Sequence, residues 1–177
     1  AKDPRSWRAA ITVHTSGLSL AAKAPINNVT RGAYEALAAT LAGCQAVEIS
    51  CFDEPIRTPS PEAAVVALRT QQIIAYETGI TKVVDPLGGS YFVEVLTSEL
   101  EQRIVAMVNE IERKGNACEL SEKGYFRDVF ENASKRYQDA IKTGRRKIVK
   151  VNTFNSPSEE DSLLKESVET KVAVNLE

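Results

Sequence analysis

The amino-acid sequence predicts an α/β fold built on parallel strands. Two short apolar segments are each followed by a segment with the apolar repeat of a helix, which predicts two consecutive strand–helix units. Consecutive units of this kind place their strands in parallel. The chain has 177 residues, of which 43% are hydrophobic and 26% are charged, so it can bury a core without disulfides or metals.

The first predicted unit contains a strand, a polar turn and a helix. Residues 9–13 (AAITV) predict a short buried strand that leads into the turn at 14–17. Asn28 is the expected N-cap of the helix, and Gly43 is its expected end. The expected buried stripe of this helix consists of Tyr34, Leu37, Ala38 and Leu41.

The second predicted unit begins with a strand at 46–49 and a loop at 50–55. Ser60, Pro61 and Glu62 supply a cap, a proline at the first helical position and an acid in the first turn. The helix is therefore expected to run from this point to about Thr78 and to stop at Gly79. A loop is expected over residues 83–89.

Two long helices, a strand and a tail are predicted for the rest of the chain. Ser98 and Glu101 form a capping box for a helix ending at Gly115, with Leu100, Ile104, Met107, Val108 and Ile111 on its buried face. The next helix is expected from Ser121 to Gly144, with an inward face of Phe126, Val129, Phe130, Ala133 and Tyr137. A late strand is predicted at 147–151. The polar segment from Ser156 predicts a mobile tail with a weak helix near 163–168.

The chain is too short for a closed (β/α)8 TIM barrel, which takes at least about 200 residues. The order of strands and helices nevertheless predicts a piece of such a barrel, a partial (β/α)8 TIM barrel. The two strands of this partial barrel would leave both sheet edges open. Since there is no initiator Met, we expect a processed chain or one cut from a longer protein.

Charge and composition argue against several functions. The formal net charge of −2 does not favour nucleic acid as a partner, and no apolar run approaches the ~20 residues that span a bilayer. No apolar segment of a signal peptide follows the N-terminus. Three cysteines without C-x-x-C spacing predict reduced, buried and inert thiols in a cytoplasmic protein. A single histidine beside these scattered cysteines predicts no metal site.

The loops that follow the two strands are the candidate site, because barrels of this class carry function there. The first loop contains His14, which could act as a general acid or base, or could instead be a hydrogen-bonded structural residue. The second loop contains Ser50, a thiol and the adjacent Asp53 and Glu54, which are expected to point apart. There is no nucleophile elbow and no phosphate-binding loop.

An ordered series of motifs resembles the methylmalonyl-CoA mutase large-subunit family. Residues 14–17 with 27–31 resemble the stretch Q-T-S-G…Y-N-N-I-x-R, and 52–54 match F-D-E. The matches continue with L-R-T-Q-Q-I-I at 68–74 and V-D-P-L-G-G-S-Y-F-I-E at 84–94. The likeness covers about residues 5–155, on the last part of the family's barrel and its linker. It implies that residues 1–95 are the last strand–helix units of the barrel, that 96–155 are a helical linker region and that 156–177 are the tail.

The resemblance implies an adenosylcobalamin-dependent acyl-CoA carbon-skeleton mutase with a radical mechanism. It implies that the cobalt-ligating domain and the N-terminal part of the barrel belong to other segments or subunits. It also implies a cofactor-binding role for residues of the two loops. By this resemblance, Glu54 matches a carboxylate that hydrogen-bonds the adenosyl ribose, and Ser50 replaces an Asn that positions the adenosyl group. Gly17 and Leu18 match a Gly-Trp pair whose aromatic member lies near the corrin, and Pro55 is expected near the corrin too.

This sequence departs from the family pattern where substrate and adenosyl group would lie. Thr12 replaces a His, His14 replaces a Gln, and Leu18 replaces a Trp. The stretch L-H-T-N-S becomes VEISC at 47–51. A different acyl-CoA substrate is one explanation, and lost or partnered activity is another. The alternatives to an enzyme subunit are a non-catalytic scaffold that keeps the mutase fold and a free-standing α/β binding module.

Overall fold

The computed structural model describes residues 2–155, which form two compact units. The first contains residues 2–86 with 154–155, and the second contains residues 87–153. The described part is mostly helical, with one small parallel sheet, which confirms a mixed α/β class. The predicted tail at 156–177 lies outside the described residues.

The first unit contains two strand–helix units. Strand β1 (Thr12–His14) leads through a short 3-10 turn (Gly17–Ser19) to helix α1 (Asn27–Leu41). Strand β2 (Ala46–Glu48) leads to helix α2 (Pro61–Glu77), and the 3-10 turns Pro4–Trp7 and Ile80–Lys82 lie outside these units. The strands pair in parallel, with His14 opposite Glu48. Parallel pairing of the two strands is therefore confirmed.

The start of α2 follows from its cap. The Ser60 hydroxyl accepts a hydrogen bond from the Ala63 N–H at 3.2 Å, and Pro61 occupies the first turn, where no N–H is needed. At the other end, Gly79 adopts a left-handed conformation with φ of 74°. The predicted bounds of this helix are confirmed within a residue.

The core of the first unit lies between α1, α2 and the end of β2. Ala36, Ile49, Ala67 and Ile74 are buried together. Helix α1 makes its contact through small residues: a Cβ added to Gly32 would lie 2.9 Å from Ile49 Cγ2. The predicted α1 stripe is confirmed only at Leu37, which packs against this core; Tyr34 is 69% exposed, and the buried positions are Asn28, Gly32, Ala36 and Ala39.

Two other details of the first unit differ from prediction. β1 begins at Thr12 rather than at residue 9, and none of its residues is buried, so the prediction of a buried strand is wrong. Asn28 is not the N-cap of α1, because Ile26 occupies that position and Asn28 lies inside the helix. Its side chain instead binds two loops, as described below.

The second unit consists of α3 (Tyr91–Lys114), α4 (Ala117–Glu122) and α5 (Tyr125–Lys142). The Gly89 N–H donates to the Glu94 carboxylate at 3.1 Å, next to the start of α3. The Asn116 side chain accepts from the Glu119 N–H and caps α4, while Gly124, with φ of 81°, precedes α5. Neither Ser98 nor Ser121 therefore begins a helix, and both predictions were wrong.

The predicted strand at 147–151 is also wrong. The Asn152 side chain accepts from the Ile148 N–H at 2.7 Å and donates to the carbonyl oxygens of Ile141 and Arg146. These bonds curl the segment into turns, with one isolated bridge between Val149 and Thr153.

Most residues of the predicted inward faces of the long helices are exposed in the described part of the chain, and Ile111 and Tyr137 are half-buried. No residue of α3 or α5 is buried, and Ile104, Met107 and Phe130 are more than 60% exposed. Cys118 is exposed, and Cys44 and Cys51 are half-buried, so the prediction of buried thiols was wrong. Across residues 2–155, no helix combines the length and the apolar character that crossing a membrane would require.

Candidate functional site

The two strand ends are held together by bonds beyond the sheet. The Thr15 N–H donates to the Glu48 carbonyl oxygen at 2.9 Å. The Thr15 hydroxyl accepts from the Ser50 N–H at 2.8 Å, and the Ser50 hydroxyl donates to the Thr15 carbonyl oxygen at 3.0 Å. Thr15 and Ser50 are both 3% exposed. The two candidate loops therefore leave the sheet from a common, fixed point.

His14 is bound at both ring nitrogens. Its Nε2 lies 2.8 Å from the Ser50 hydroxyl oxygen, and its Nδ1 lies 3.2 Å from Glu48 Oε2. The register of the sheet explains the second contact, because His14 and Glu48 are directly paired neighbours. The structure thus brings the predicted His14 and Ser50 together, and it adds Glu48, which the sequence reasoning did not select.

The order of Ser50, His14 and Glu48 resembles that of a hydrolase triad, but Ser50 is unsuited to nucleophilic attack. Its hydroxyl is buried and donates to a main-chain carbonyl oxygen. The neighbouring Cys51 is no better, because burial raises the pKa of its thiol, and the carboxylates of Glu54, Asp53 and Glu48 raise it further. The arrangement is suited to hydrogen bonding rather than to covalent catalysis.

Asn28 connects the two loops from inside α1. Its Oδ1 accepts from the Ala21 N–H at 3.0 Å, and its Nδ2 donates to the carbonyl oxygens of Ala21 and Phe52 at 2.9 and 2.8 Å. Arg31 Nη1 donates to the same Oδ1 at 2.6 Å. Asn28 is 1% exposed. The sequence signalled this residue only as a helix cap, since its partners are main-chain atoms distant along the chain.

The adjacent acids of the second loop have different environments. Asp53 is 1% exposed, and its Oδ2 accepts from the Ser60 N–H and from Arg57 Nε, both at 3.0 Å. Its Oδ1 has no hydrogen-bond donor among residues 2–155. Glu54 is exposed, and its Oε1 accepts from the Cys51 N–H at 2.7 Å. Asp53 therefore organises the loop, while Glu54 is the carboxylate that a ligand can reach.

Asp53 should make stability depend on pH. Burial alone raises its pKa, but the bonds from the Ser60 N–H and Arg57 outweigh burial, and the pKa lies below the usual range. Its stabilising contribution is therefore fully present above the pKa of an aspartate in the unfolded chain, about 4. This contribution is lost as the pH falls through the lower pKa that Asp53 has in the folded chain. We expect Asp53→Asn to lower the free energy of unfolding by about 1–3 kcal/mol at pH 7.

The measurement is urea unfolding of both proteins between pH 7 and pH 3. The difference between wild type and Asp53→Asn should shrink toward zero as the buffer becomes acidic, because only the wild-type side chain titrates. A difference that stays constant over this range would show that Asp53 carries no charge-dependent stabilisation. Asp3 and Glu110, whose pKa values are also lowered, pair with Arg5 and Lys114 at the surface and serve as exposed comparisons.

The remaining predicted site residues lie on the exposed parts of the loops. Leu18 is 81% exposed, and a Cβ added to Gly17 would meet no atom within 4 Å. Pro55 is exposed next to Glu54. None of the three contacts the His14–Ser50 pair by a hydrogen bond within residues 2–155. Over the same residues, no three His, Cys, Asp or Glu side chains gather into a possible metal site.

The fold and the candidate site together define the class of protein: a parallel α/β protein that carries polar side chains at the carboxyl ends of adjacent strands. The profile of the methylmalonyl-CoA mutase family matches residues 1–175. The chain belongs to this family of isomerases, as the sequence motifs predicted.

Several relatives place the chain within this family. It is 40% identical over 146 residues to methylmalonyl-CoA mutase of Rhizobium meliloti (strain 1021), an alignment that covers 82% of this chain and 20% of the relative. It is 38% identical over 156 residues to the 2-hydroxyisobutanoyl-CoA mutase large subunit of Aquincola tertiaricarbonis, covering 87% and 27%. The human mitochondrial methylmalonyl-CoA mutase is 38% identical over 146 residues, covering 82% and 20%. The chain thus spans about a fifth to a quarter of these relatives.

Proposed function

We propose that the chain supplies the closing strand–helix units of a TIM barrel in an adenosylcobalamin-dependent acyl-CoA mutase, and that it is inactive alone. Within the proposal, residues 1–95 belong to the barrel, 96–155 to a helical linker region and 156–177 to a tail, in a cytoplasmic enzyme. The observation that carries it is the placement of His14, Ser50 and Glu54 at and just beyond the carboxyl ends of paired parallel strands.

The residues of the loops suit the organic part of adenosylcobalamin better than its metal. The only histidine of the chain is bound at both ring nitrogens, and the described residues contain no metal-ligating cluster, so a cobalt ligand would come from another domain or subunit. Glu54 Oε2 takes no hydrogen bond from residues 2–155, which leaves it able to accept from ribose hydroxyls. The open surface at Gly17, Leu18 and Pro55 suits contact with a large ring.

These residues have separate tasks in the proposed reaction. When bound, adenosylcobalamin supplies the radical chemistry, and the protein supplies binding, orientation and protection from water. Glu54 would orient the adenosyl group. His14 would lie beside the acyl-CoA, and it would have to exchange Ser50 or Glu48 for the substrate in order to hydrogen-bond it. Asn28 and Asp53 would keep both loops in place without touching either ligand.

The partners follow from the surfaces that the described residues leave uncovered. The sheet of the described part has two strands, and parallel sheets are normally covered and extended on both sides. The apolar side chains along α3 are exposed within their own unit. These uncovered surfaces support the rest of the barrel as a proposed partner, and the family membership supports a cobalamin-binding domain or subunit as the other; neither nucleic acid nor membrane is part of the proposal.

Reconstitution tests the proposal. The chain is co-expressed with the N-terminal barrel portion and the cobalamin-binding chain of a mutase, and adenosylcobalamin is titrated into the complex and into the chain alone. We expect the cobalamin absorption spectrum to change only with the complex, and turnover of an acyl-CoA to require this chain. A spectral change with the chain alone, or full activity without the chain, would contradict the proposal.

A scaffold without catalytic activity is the second candidate. The observation in its favour is that Thr12, His14, Leu18 and Ser50 all differ from the family pattern at the proposed site. A complex that assembles and binds the cofactor but converts no acyl-CoA would identify the scaffold.

A further inference from the structure

The Ser50 hydroxyl lies between the His14 ring and a main-chain carbonyl oxygen. It donates to the Thr15 carbonyl oxygen at 3.0 Å, and this bond takes the single hydrogen of the hydroxyl, because a carbonyl oxygen can only accept. Ser50 Oγ must then accept from His14 Nε2, which lies 2.8 Å away, so Nε2 must carry a hydrogen. The Thr15 hydroxyl also accepts from the Ser50 N–H, and both residues are 3% exposed, so the Ser50 hydroxyl is held in this orientation.

The other ring nitrogen has an exposed environment. In the neutral ring, a hydrogen on Nε2 leaves the lone pair on Nδ1, which can only accept. Glu48 Oε2 lies 3.2 Å from Nδ1, at the distance of an ion pair but without a hydrogen bond, and the side chains of His14 and Glu48 are 53% and 73% exposed. The two strands therefore end in two neighbouring acceptors, one of them negatively charged. Such a pair attracts a group that donates a hydrogen, and it disfavours an anion.

We propose that Ser50 is a positioning residue that holds His14 in the Nε2–H form, so that Nδ1, beside the Glu48 carboxylate, accepts a hydrogen bond from a hydroxyl on the acyl group of an acyl-CoA. The ligand rests on the proposed function, whereas the form of the ring does not. The Nε2 contact is buried at Ser50, while the Nδ1 contact joins two exposed side chains, so the ligand would displace Glu48 rather than Ser50. An acyl group with a carboxylate would bring a second negative charge next to Glu48, and the two charges would repel.

The ring can be observed directly, because His14 is the only histidine of the chain. Long-range ¹H–¹⁵N spectra of the labelled full chain in mildly alkaline buffer report which nitrogen carries the hydrogen and how fast that hydrogen exchanges with water. We expect Nε2–H to predominate in the wild type. In Ser50→Ala the exchange of this hydrogen should accelerate about two- to tenfold, the range for the loss of one hydrogen bond. A wild-type ring that carries its hydrogen mainly on Nδ1 would overturn the proposal.

Ser16→Ala is the matched control, because Ser16 is an exposed residue of the first loop and its hydroxyl forms no hydrogen bond with residues 2–155. It should leave the exchange at His14 unchanged. If the hydrogen of Ser50→Ala exchanges at the same rate as that of Ser16→Ala, Ser50 does not hold the ring and the proposal is wrong. Ser50→Ala also leaves the Thr15 carbonyl oxygen without its donor, and if this variant does not fold, the position of the hydrogen in the wild type decides.

The ligand is tested separately by calorimetry on the complex with the N-terminal barrel portion and the cobalamin-binding chain, without adenosylcobalamin. The probes are 3-hydroxybutanoyl-CoA and succinyl-CoA, whose acyl groups have the same number of carbon atoms and carry a hydroxyl and a carboxylate. We expect the hydroxylated acyl-CoA to bind more tightly. Glu48→Gln removes the negative charge and should reduce the ratio of the two Kd values about two- to fivefold, while Glu77→Gln, at an exposed acid of α2, should not change it.

Equal or reversed affinities in the wild type would overturn the hydroxylated ligand, and so would a ratio that is the same in Glu48→Gln and Glu77→Gln. If the complex binds neither acyl-CoA, the proposed function fails together with the ligand. The spectra of the chain alone still decide what Ser50 does to His14.

Discussion

Replacing Asn28 by alanine is expected to lower the free energy of unfolding by about 2–4 kcal/mol. The change removes four hydrogen bonds at a residue that is 1% exposed, and it leaves the N–H and carbonyl oxygen of Ala21 and the carbonyl oxygen of Phe52 without their partner. Each buried polar group left without a partner costs about 1–3 kcal/mol. The better helix propensity of alanine offsets only about 0.5 kcal/mol of this loss.

Urea unfolding measures the loss, and the adjacent asparagine is the control. Asn27 lies in the same turn of α1, and its side chain forms no hydrogen bond with residues 2–155. Asn27→Ala should therefore change the free energy of unfolding by less than about 0.5 kcal/mol. Hydrogen exchange at the Ala21 N–H should accelerate only in Asn28→Ala. Equal unfolding midpoints for the two variants would mean that Asn28 does not hold the loops.

Changing Glu54 to glutamine is expected to reduce turnover of the reconstituted mutase by about ten- to a hundredfold. In the proposed function, the Glu54 carboxylate accepts a hydrogen bond from a ribose hydroxyl of the adenosyl group, and glutamine removes the charge from this bond. A hydrogen bond to a charged group contributes about 1.5–3 kcal/mol, and each factor of ten in rate corresponds to about 1.4 kcal/mol. Stability should hardly change, because Glu54 is exposed and a glutamine oxygen can still accept from the Cys51 N–H.

The assay compares kcat and the melting temperature of Glu54→Gln with those of Glu77→Gln, which removes an exposed carboxylate from α2. Only the first variant should lose turnover, and both should melt near the wild-type temperature. Turnover of Glu54→Gln within twofold of the wild type, in a complex that is otherwise active, would remove Glu54 from the site.

Features set by neighbouring residues could be predicted from the sequence. Ser60, Pro61 and Gly79 define α2 by local caps, and these act in the structure as the sequence indicated. The pairing of β1 with β2 also followed, because two successive strand–helix units allow few other arrangements. The two loops of the candidate site could be predicted as well, because they follow these two strands.

Features set by distant contacts could not be predicted. The sequence marked the large side chains of α1 as its buried face, but the helix approaches Ile49 through Gly32, where a side chain would not fit. Asn28 looked like a cap because it precedes the apolar repeat of the helix, and its contacts with the main chain of Ala21 and Phe52 leave no signal in the sequence. Glu48 was missed because only the register of the sheet places it beside His14.

The Asn28 contacts have an evolutionary consequence. Apart from Arg31, this side chain bonds only to main-chain atoms of the loops, which every amino acid except proline at a donor position can supply. Mutations at loop positions can therefore accumulate without weakening the Asn28 bonds. Drift or selection could then alter positions 14, 18, 48 and 50 while the architecture stayed constant. An anchor of this kind lets the side chains at the strand ends change while the backbone that carries them stays in place.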